Sequence, residues 1–233
     1  MAVHLSKRME ALARMVTPGN RLCDVGCDHG FLPIYLVQQK LIPSAIAMDI
    51  GPLLAAKTHI AEAELETVIT TRRSDGLAQV SEDETDTILI AGMGGGIVIH
   101  ILTEGRSVAR KVKELILQPQ SELEEVRRFL FSENYELLQE DMILEDGKYY
   151  PMMKVRYAPE KFVQQPKPTD GDFLFGPMLL QAHHAVLHSY LLREQRIQKD
   201  VLKQLAAQKQ TPAIMQRTKE VEAHLQLVEQ SLW

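Results

Sequence analysis

The chain has 233 residues, of which 45% are apolar and 24% charged, and its formal net charge is −5. That composition is ordinary for a folded protein and excludes a disordered tail, a collagen-like repeat and a disulfide-stapled miniprotein. No apolar run approaches the roughly 18 residues of a membrane span, and no apolar stretch follows Lys7 and Arg8 to make a signal peptide. Cys23 and Cys27, four apart with no second pair, make neither a disulfide framework nor a zinc site, so the chain reads as cytoplasmic. Charge is unevenly spread: residues 1–160 carry 17 basic and 24 acidic side chains, residues 161–233 carry 9 and 7 together with four of the eight histidines. The acidic total disfavours a nucleic-acid partner, but a local basic patch is enough to hold RNA.

In chain order, Leu22–Val25 is a short apolar strand ending at Gly26, and Phe31–Gln39 is predicted as a helix. Ala45–Met48 is a second strand ending in Asp49, followed by a helix around Leu53–Leu65. Thr67–Arg72 and Thr87–Ala91 are the third and fourth strands, the latter running into Gly92, and Ile97–Leu102 is helical. Leu115–Leu117 is a fifth strand, with a helix start at Ser121 marked by Glu124 three residues on. Tyr135–Leu144 and Tyr149–Val155 flank Asp146-Gly147, the signature of a β-hairpin. Strands alternating with helices predict an α/β fold with a mainly parallel, Rossmann-like sheet, to which the hairpin adds an antiparallel edge. Pro159, Pro166, Pro168, Gly171 and Gly176 mark residues 158–176 as an irregular connection. Beyond it Leu187, Leu191, Ile197, Val201 and Leu205 form one apolar stripe, Thr211-Pro212 restarts a helix, and Ile214, Val221, Leu225, Val228 and Leu232 approach a heptad. The two stripes predict a C-terminal helical coiled-coil hairpin.

The chemistry-bearing signals sit at strand ends, where open α/β sheets bind ligands. Asp24-Val25-Gly26-Cys27-Asp28-His29-Gly30 follows the first strand, and Asp49 ends the second, 19 residues after Gly30, where a carboxylate can accept both hydroxyls of a ribose. A dinucleotide fingerprint needs glycine at position 28. Asp28 stands there instead, and its charge repels a pyrophosphate. It suits a cofactor with positive centres and no phosphate, which S-adenosylmethionine (SAM) is, with Asp24 and Asp28 facing its ammonium end. The plainer reading has Asp24 capping a turn and Asp28 capping the helix from Phe31. Ser74-Asp75-Gly76 after the third strand is a loop able to bond an adenine edge, or an ordinary Asx turn. Ala91-Gly92-Met93-Gly94-Gly95-Gly96 after the fourth strand invites close approach of another body, and with no Lys-Ser/Thr following it is no P-loop. The same place lacks the Asn/Asp-Pro-Pro-Tyr/Phe that holds an exocyclic amine, so a ring nitrogen is the acceptor left open. His183, His184 and His188 have no third acidic or cysteine ligand beside them and are not read as a metal site.

Leu5-Ser6-Lys7-Arg8, Asp24 through Pro33, Ser74 through Leu77, Ile90 through Gly95 and Leu117-Gln118-Pro119 occur in this order and resemble the bacterial tRNA adenine-22 N1-methyltransferase family over about residues 1–157. The resemblance implies a class I SAM-dependent methyltransferase domain over residues 1–160 and a coiled-coil domain over residues 161–233 that grips tRNA. It implies methyl transfer to N1 of adenine 22 by a monomer. Cofactor contacts are then expected at Asp24, Gly26, Asp28, His29, Gly30, Asp49 and Ile50, at Ser74, Asp75 and Gly76, and at Ala91, Gly92 and Met93. Arg8, Gly94, Gly95 and Tyr149 are expected to touch the substrate, the glycines by admitting a flipped base. Asp75 is the candidate catalytic carboxylate, stabilising the cationic product base. Arg72 and Arg73, and Arg193, Arg196, Lys199 and Lys203, are candidate tRNA contacts. Two alternatives remain open: a small-molecule SAM methyltransferase, and a noncatalytic SAM-binding adaptor acting through its coiled coil.

Overall fold

The structure, a computed structural model, describes residues 3–164, 167–209 and 211–233. The chain divides into two compact units, Met1–Gln165 and Pro166–Trp233. In the first, strands β1 (Leu22–Val25), β2 (Ala45–Asp49), β3 (Ile69–Arg73), β4 (Thr87–Met93), β5 (Glu114–Pro119), β6 (Tyr135–Glu145) and β7 (Lys148–Tyr157) form one sheet of order β3-β2-β1-β4-β5-β7-β6. The first five are parallel, and the β6–β7 hairpin closes the edge antiparallel to β5. β1 and β5 are buried throughout and β2 and β4 over their first four residues, which is why these strands read as continuous apolar runs rather than alternating ones. Helices α1 (Lys7–Met15), α2 (Phe31–Gln38) and α3 (Leu54–Glu62) supply one core cluster with residues such as Leu12, Ile34 and Ile60. Helices α4 (Gly95–Glu104), α5 (Arg106–Ala109) and α6 (Leu123–Ser132) supply the other with Val98, Ala109 and Val126. The hairpin turn is built as its sequence predicts, with Asp146 at φ 49° and Gly147 at φ 74°.

Two helix starts differ from their sequence signals. Ser121 does not cap α6: the cap is Glu122 in a left-handed conformation, with no side-chain bond of its own. Instead the Ser121 hydroxyl and the Glu122 carboxylate accept the N–H groups of Gly95 and Gly96 at the start of α4, at 3.4 and 2.8 Å. Asp28 does not cap α2 either; that position is Gly30, also without a side-chain bond.

In the second unit the stretch read as irregular contains α7 (Asp170–Phe175), fixed by a reciprocal capping box between Thr169 and Asp172, and α8 (Pro177–Gln181) follows directly beyond it. Pro166, counted in that connection, lies outside the described residues. Helices α9 (Ala185–Ala206) and α10 (Pro212–Gln230) contact each other and bury Leu187, Leu191 and Leu205 with Val221 and Val228. Gln195 and Lys199 of α9 both reach Glu229 of α10. Among the described residues no helix is long and apolar enough to cross a membrane.

Candidate active site

Parallel register brings the carboxyl ends of β1, β2, β3 and β4 to one edge: Val25 pairs with Met48 and Ile90, and Asp49 with Arg73. The loops that the sequence singled out therefore converge. Ser74 N–H donates to the Asp49 carbonyl and the Arg73 guanidinium to the Ile50 carbonyl, tying the second loop to the third. The Asp49 carboxylate takes the N–H of Gly51 at 2.8 Å through one oxygen, and no protein partner bonds the other among the described residues. A cavity of about 250 Å3 opens beside these ends, lined by Asp24, Gly26, Asp28 and His29 from the first loop, Ala91 from β4 and Arg8 from α1.

Asp24 is the least comfortable group there. It is 6% exposed, and no protein atom hydrogen-bonds its carboxylate among the described residues. Burial, with the Asp49 charge adding to it, pushes its pKa up to about 7. A buried carboxylate without partners, facing a cavity, is what an ammonium ligand requires. Gly26 at φ +77° is fixed by the same geometry: a Cβ there meets the Met93 methyl at 2.1 Å. An aromatic group of His29, Phe31 and His59, with centroids 4.6 to 5.5 Å apart, lies at the start of α2. Burial pushes the Cys27 thiol well above its ordinary range, so it is no nucleophile.

The structure gives each of these residues definite neighbours. Gly95 is buried, and a Cβ on it meets the Ser121 carbonyl at 2.6 Å and Val126 at 2.9 Å, so close packing with the start of α6 requires glycine there. Gly94 is the cap of α4 and faces the Ser121 hydroxyl. The ring near the cavity is Tyr150, over which the Arg8 guanidinium sits at 5.5 Å; Tyr149, its neighbour in β7, points to the opposite face. Asp75 is exposed, two residues beyond the end of β3, and its neighbour Gly76 lies against Ile101 of α4. The Ser74 hydroxyl is spent inside its own turn, donating to the Gly76 carbonyl and accepting from Gln79 N–H. Arg72 is held by Glu84, and Lys199 and Lys203 by Glu229 and Asp200. Gln118, fully buried and bonded to Arg8 at 2.9 Å, was quoted in the sequence only as part of a motif; its role becomes visible only once β5 meets α1. Among the described residues no group of three or more His, Cys, Asp and Glu is arranged to hold a metal ion.

Residues 5–153 match the family described as a methyltransferase domain. The chain is 31% identical over 228 residues to the tRNA (adenine(22)-N(1))-methyltransferase of Bacillus subtilis (strain 168), spanning 97% of this chain and 96% of that one. Its structure is similar to the crystal structure of the B. subtilis m1A22 tRNA methyltransferase TrmK, with a TM-score of 0.87, 31% identity and coverage of 99% and 100% of the two chains. It is also similar to a putative tRNA (m1A22) methyltransferase of Streptococcus pneumoniae solved in complex with S-adenosyl-L-methionine, with a TM-score of 0.86, 30% identity and coverage of 99% and 100%.

Proposed function

The chain belongs to the tRNA (adenine(22)-N(1))-methyltransferase family, and from that membership we propose that it methylates N1 of adenine 22 in tRNA with SAM as methyl donor. The observation that carries the reading is the cavity at the β1 and β4 ends, with an unpartnered buried carboxylate at Asp24 and a φ-positive Gly26 that Met93 covers. When bound, SAM supplies an electrophilic methyl on a sulfonium, and its transfer to N1 leaves a thioether and a cationic adenine.

In this reading Asp24 and Asp28 face the ammonium end, Asp49 accepts the ribose hydroxyls, and Ile50, Ser74, Asp75 and Gly76 border the adenine. Ala91, Gly92 and Met93 line the path between cofactor and target base. The acceptor nitrogen carries a free lone pair at neutral pH, so no side chain need remove a proton. The protein's work is to hold a flipped base in line with the methyl and to exclude water; such positioning supplies most of the rate. The C-terminal unit grips the tRNA through exposed cations such as Arg196 on α9, and the enzyme acts as a cytoplasmic monomer.

The test is to incubate unmodified tRNA transcript with protein and labelled SAM and to map the product by reverse-transcription arrest. Label in the RNA with a stop at position 22 is expected. Bound SAM without transfer favours the adaptor alternative, and label only in free metabolites favours a small-molecule enzyme.

A further inference from the structure

Gln118 and Gln120 flank Pro119 at the end of β5, and the fold spends only the first of them. The Gln118 amide is buried and bonded to Arg8 and to the Pro119 carbonyl. The Gln120 side chain is exposed, and its carboxamide has no protein partner among the described residues. Its backbone is nonetheless fixed, because the Gln120 N–H donates to the Met93 carbonyl at 2.8 Å. The strand it is tied to is irregular at the same place. Ala91 pairs with Gln118 and Met93 with Pro119, so Gly92 is one extra residue, a bulge at the end of β4 with φ +79°. A bulge re-aims the end of a strand. Gly95 packs against α6, whereas Gly92 is exposed, and the nearest atoms to a Cβ there are the Gln120 Nε2 at 3.7 Å and the Arg8 Nη1 at 3.8 Å. An open slot therefore stands over the Gly92 backbone, bordered by a carboxamide and a guanidinium. It adjoins the cavity, whose lining includes Arg8 and Ala91.

Methylation at N1 restricts how an adenine can be held, since N1 itself must face the methyl. The neighbouring edge carries the N6 amino group, a donor, beside N7, an acceptor. A carboxamide presents an acceptor beside a donor and meets that edge with two hydrogen bonds. We propose that Gln120 is the residue that selects adenine, its Oε1 accepting from the N6 amino group and its Nε2 donating to N7 of a base lying in the slot over Gly92. This rests on the methyl-transfer reading above and adds to it the source of base specificity. Guanine offers O6 and N7, two acceptors, so one of them faces the amide oxygen, and its N1 carries a proton in place of the lone pair. A pyrimidine has no N7 to reach. The bulge has a direct use here: with no side chain at Gly92, the base comes up to the backbone.

The test is kcat/KM of the full chain with SAM and two tRNA transcripts, one with adenosine and one with 7-deazaadenosine at position 22. The deaza ring keeps N1 and the N6 amino group and puts C–H in place of N7. The wild type is expected to favour adenosine about 10- to 100-fold, the worth of a good two-bond contact to a base edge. Gln120→Leu is expected to lose a similar factor, about 10- to 100-fold, on adenosine and to shrink the preference to within about threefold. The changed basicity of the deaza ring acts on both proteins alike, so the difference between their two preferences reports the amide. SAM affinity by calorimetry is expected to be the same for both proteins, which shows that the variant is folded. A merely structural loss lowers both transcripts alike and leaves the preference intact. Gln120→Leu with the wild-type preference therefore overturns the proposal, and so does Gln120→Leu with undiminished kcat/KM on adenosine. A wild type that methylates neither transcript sinks the methyl-transfer reading beneath it, whereas one that methylates both equally sinks this inference alone.

Discussion

Replacing Asp24 by asparagine removes a charge while keeping the side chain's shape. In the folded chain its pKa rises to about 7, against about 3.9 for an unfolded aspartate. Between those values the folded state holds a proton that the unfolded state has released. Stability therefore falls as pH rises from about 4 to about 7 and stays down above that. The gap of about 3 is worth on the order of 4 kcal/mol, an upper figure because water entering the cavity screens the charge. At roughly 2–4 °C per kcal/mol for a chain of this size, Asp24→Asn is expected to melt of order 10 °C higher than wild type at pH 8, with no gain at pH 4.5. SAM binding is expected to move the other way. The wild type gains affinity as pH rises through about 7, and the variant binds at least tenfold more weakly at pH 8 with a flat profile. Thermal melts across pH, with and without SAM, and titration calorimetry read both effects. A variant with the wild-type pH dependence of melting, or with undiminished SAM affinity at pH 8, refutes the assignment of Asp24 as a buried charge kept for an ammonium.

Asp49→Ala is expected to weaken SAM about 10- to 100-fold by calorimetry, because an ionised acceptor of ribose hydroxyls contributes about 1.5–3 kcal/mol per bond; unchanged affinity contradicts its role. Gly95→Ala sets a methyl against the start of α6 and is expected to lower stability by about 1–3 kcal/mol in denaturant titration while SAM affinity per folded molecule stays the same. Lys154→Met strands the buried Glu114, whose carboxylate burial alone would push up but which Lys154, Thr17 and Thr87 together hold below its ordinary range. That loss is expected to cost about 3–5 kcal/mol at pH 7 and less at pH 4, where Glu114 takes up a proton. Arg196→Glu on exposed α9 is expected to weaken tRNA binding and reduce its salt slope by about 1, with SAM titration unaffected.

The strands along the chain, the hairpin turn and the loops gathered at the carboxyl ends of the strands were legible in the sequence because each depends on local chemistry. Buried parallel strands must be apolar on both faces, so Leu22–Val25 and Thr87–Ile90 announce themselves. Asp146-Gly147 suits the left-handed conformation of a tight turn. Asp28 in the place of a glycine excludes a pyrophosphate by charge alone. What the tertiary structure decided are the matters set by distant neighbours. Ser121 and Glu122 look like the start of their own helix, yet their side chains serve α4, because two helix starts meet there and exposed N–H groups take the nearest acceptor. Gly95 reads like a ligand loop and is a packing contact with α6. Tyr149 and Tyr150 are equivalent in the sequence, and only the register of β7 aims one of them at Arg8. Arg8 itself is an ordinary basic residue in an N-terminal helix; it becomes a fixed cation only where α1, β5 and the hairpin converge, 110 and 142 residues away along the chain. Burial and charge pairing are properties of the assembled fold, and no local pattern of residues encodes them.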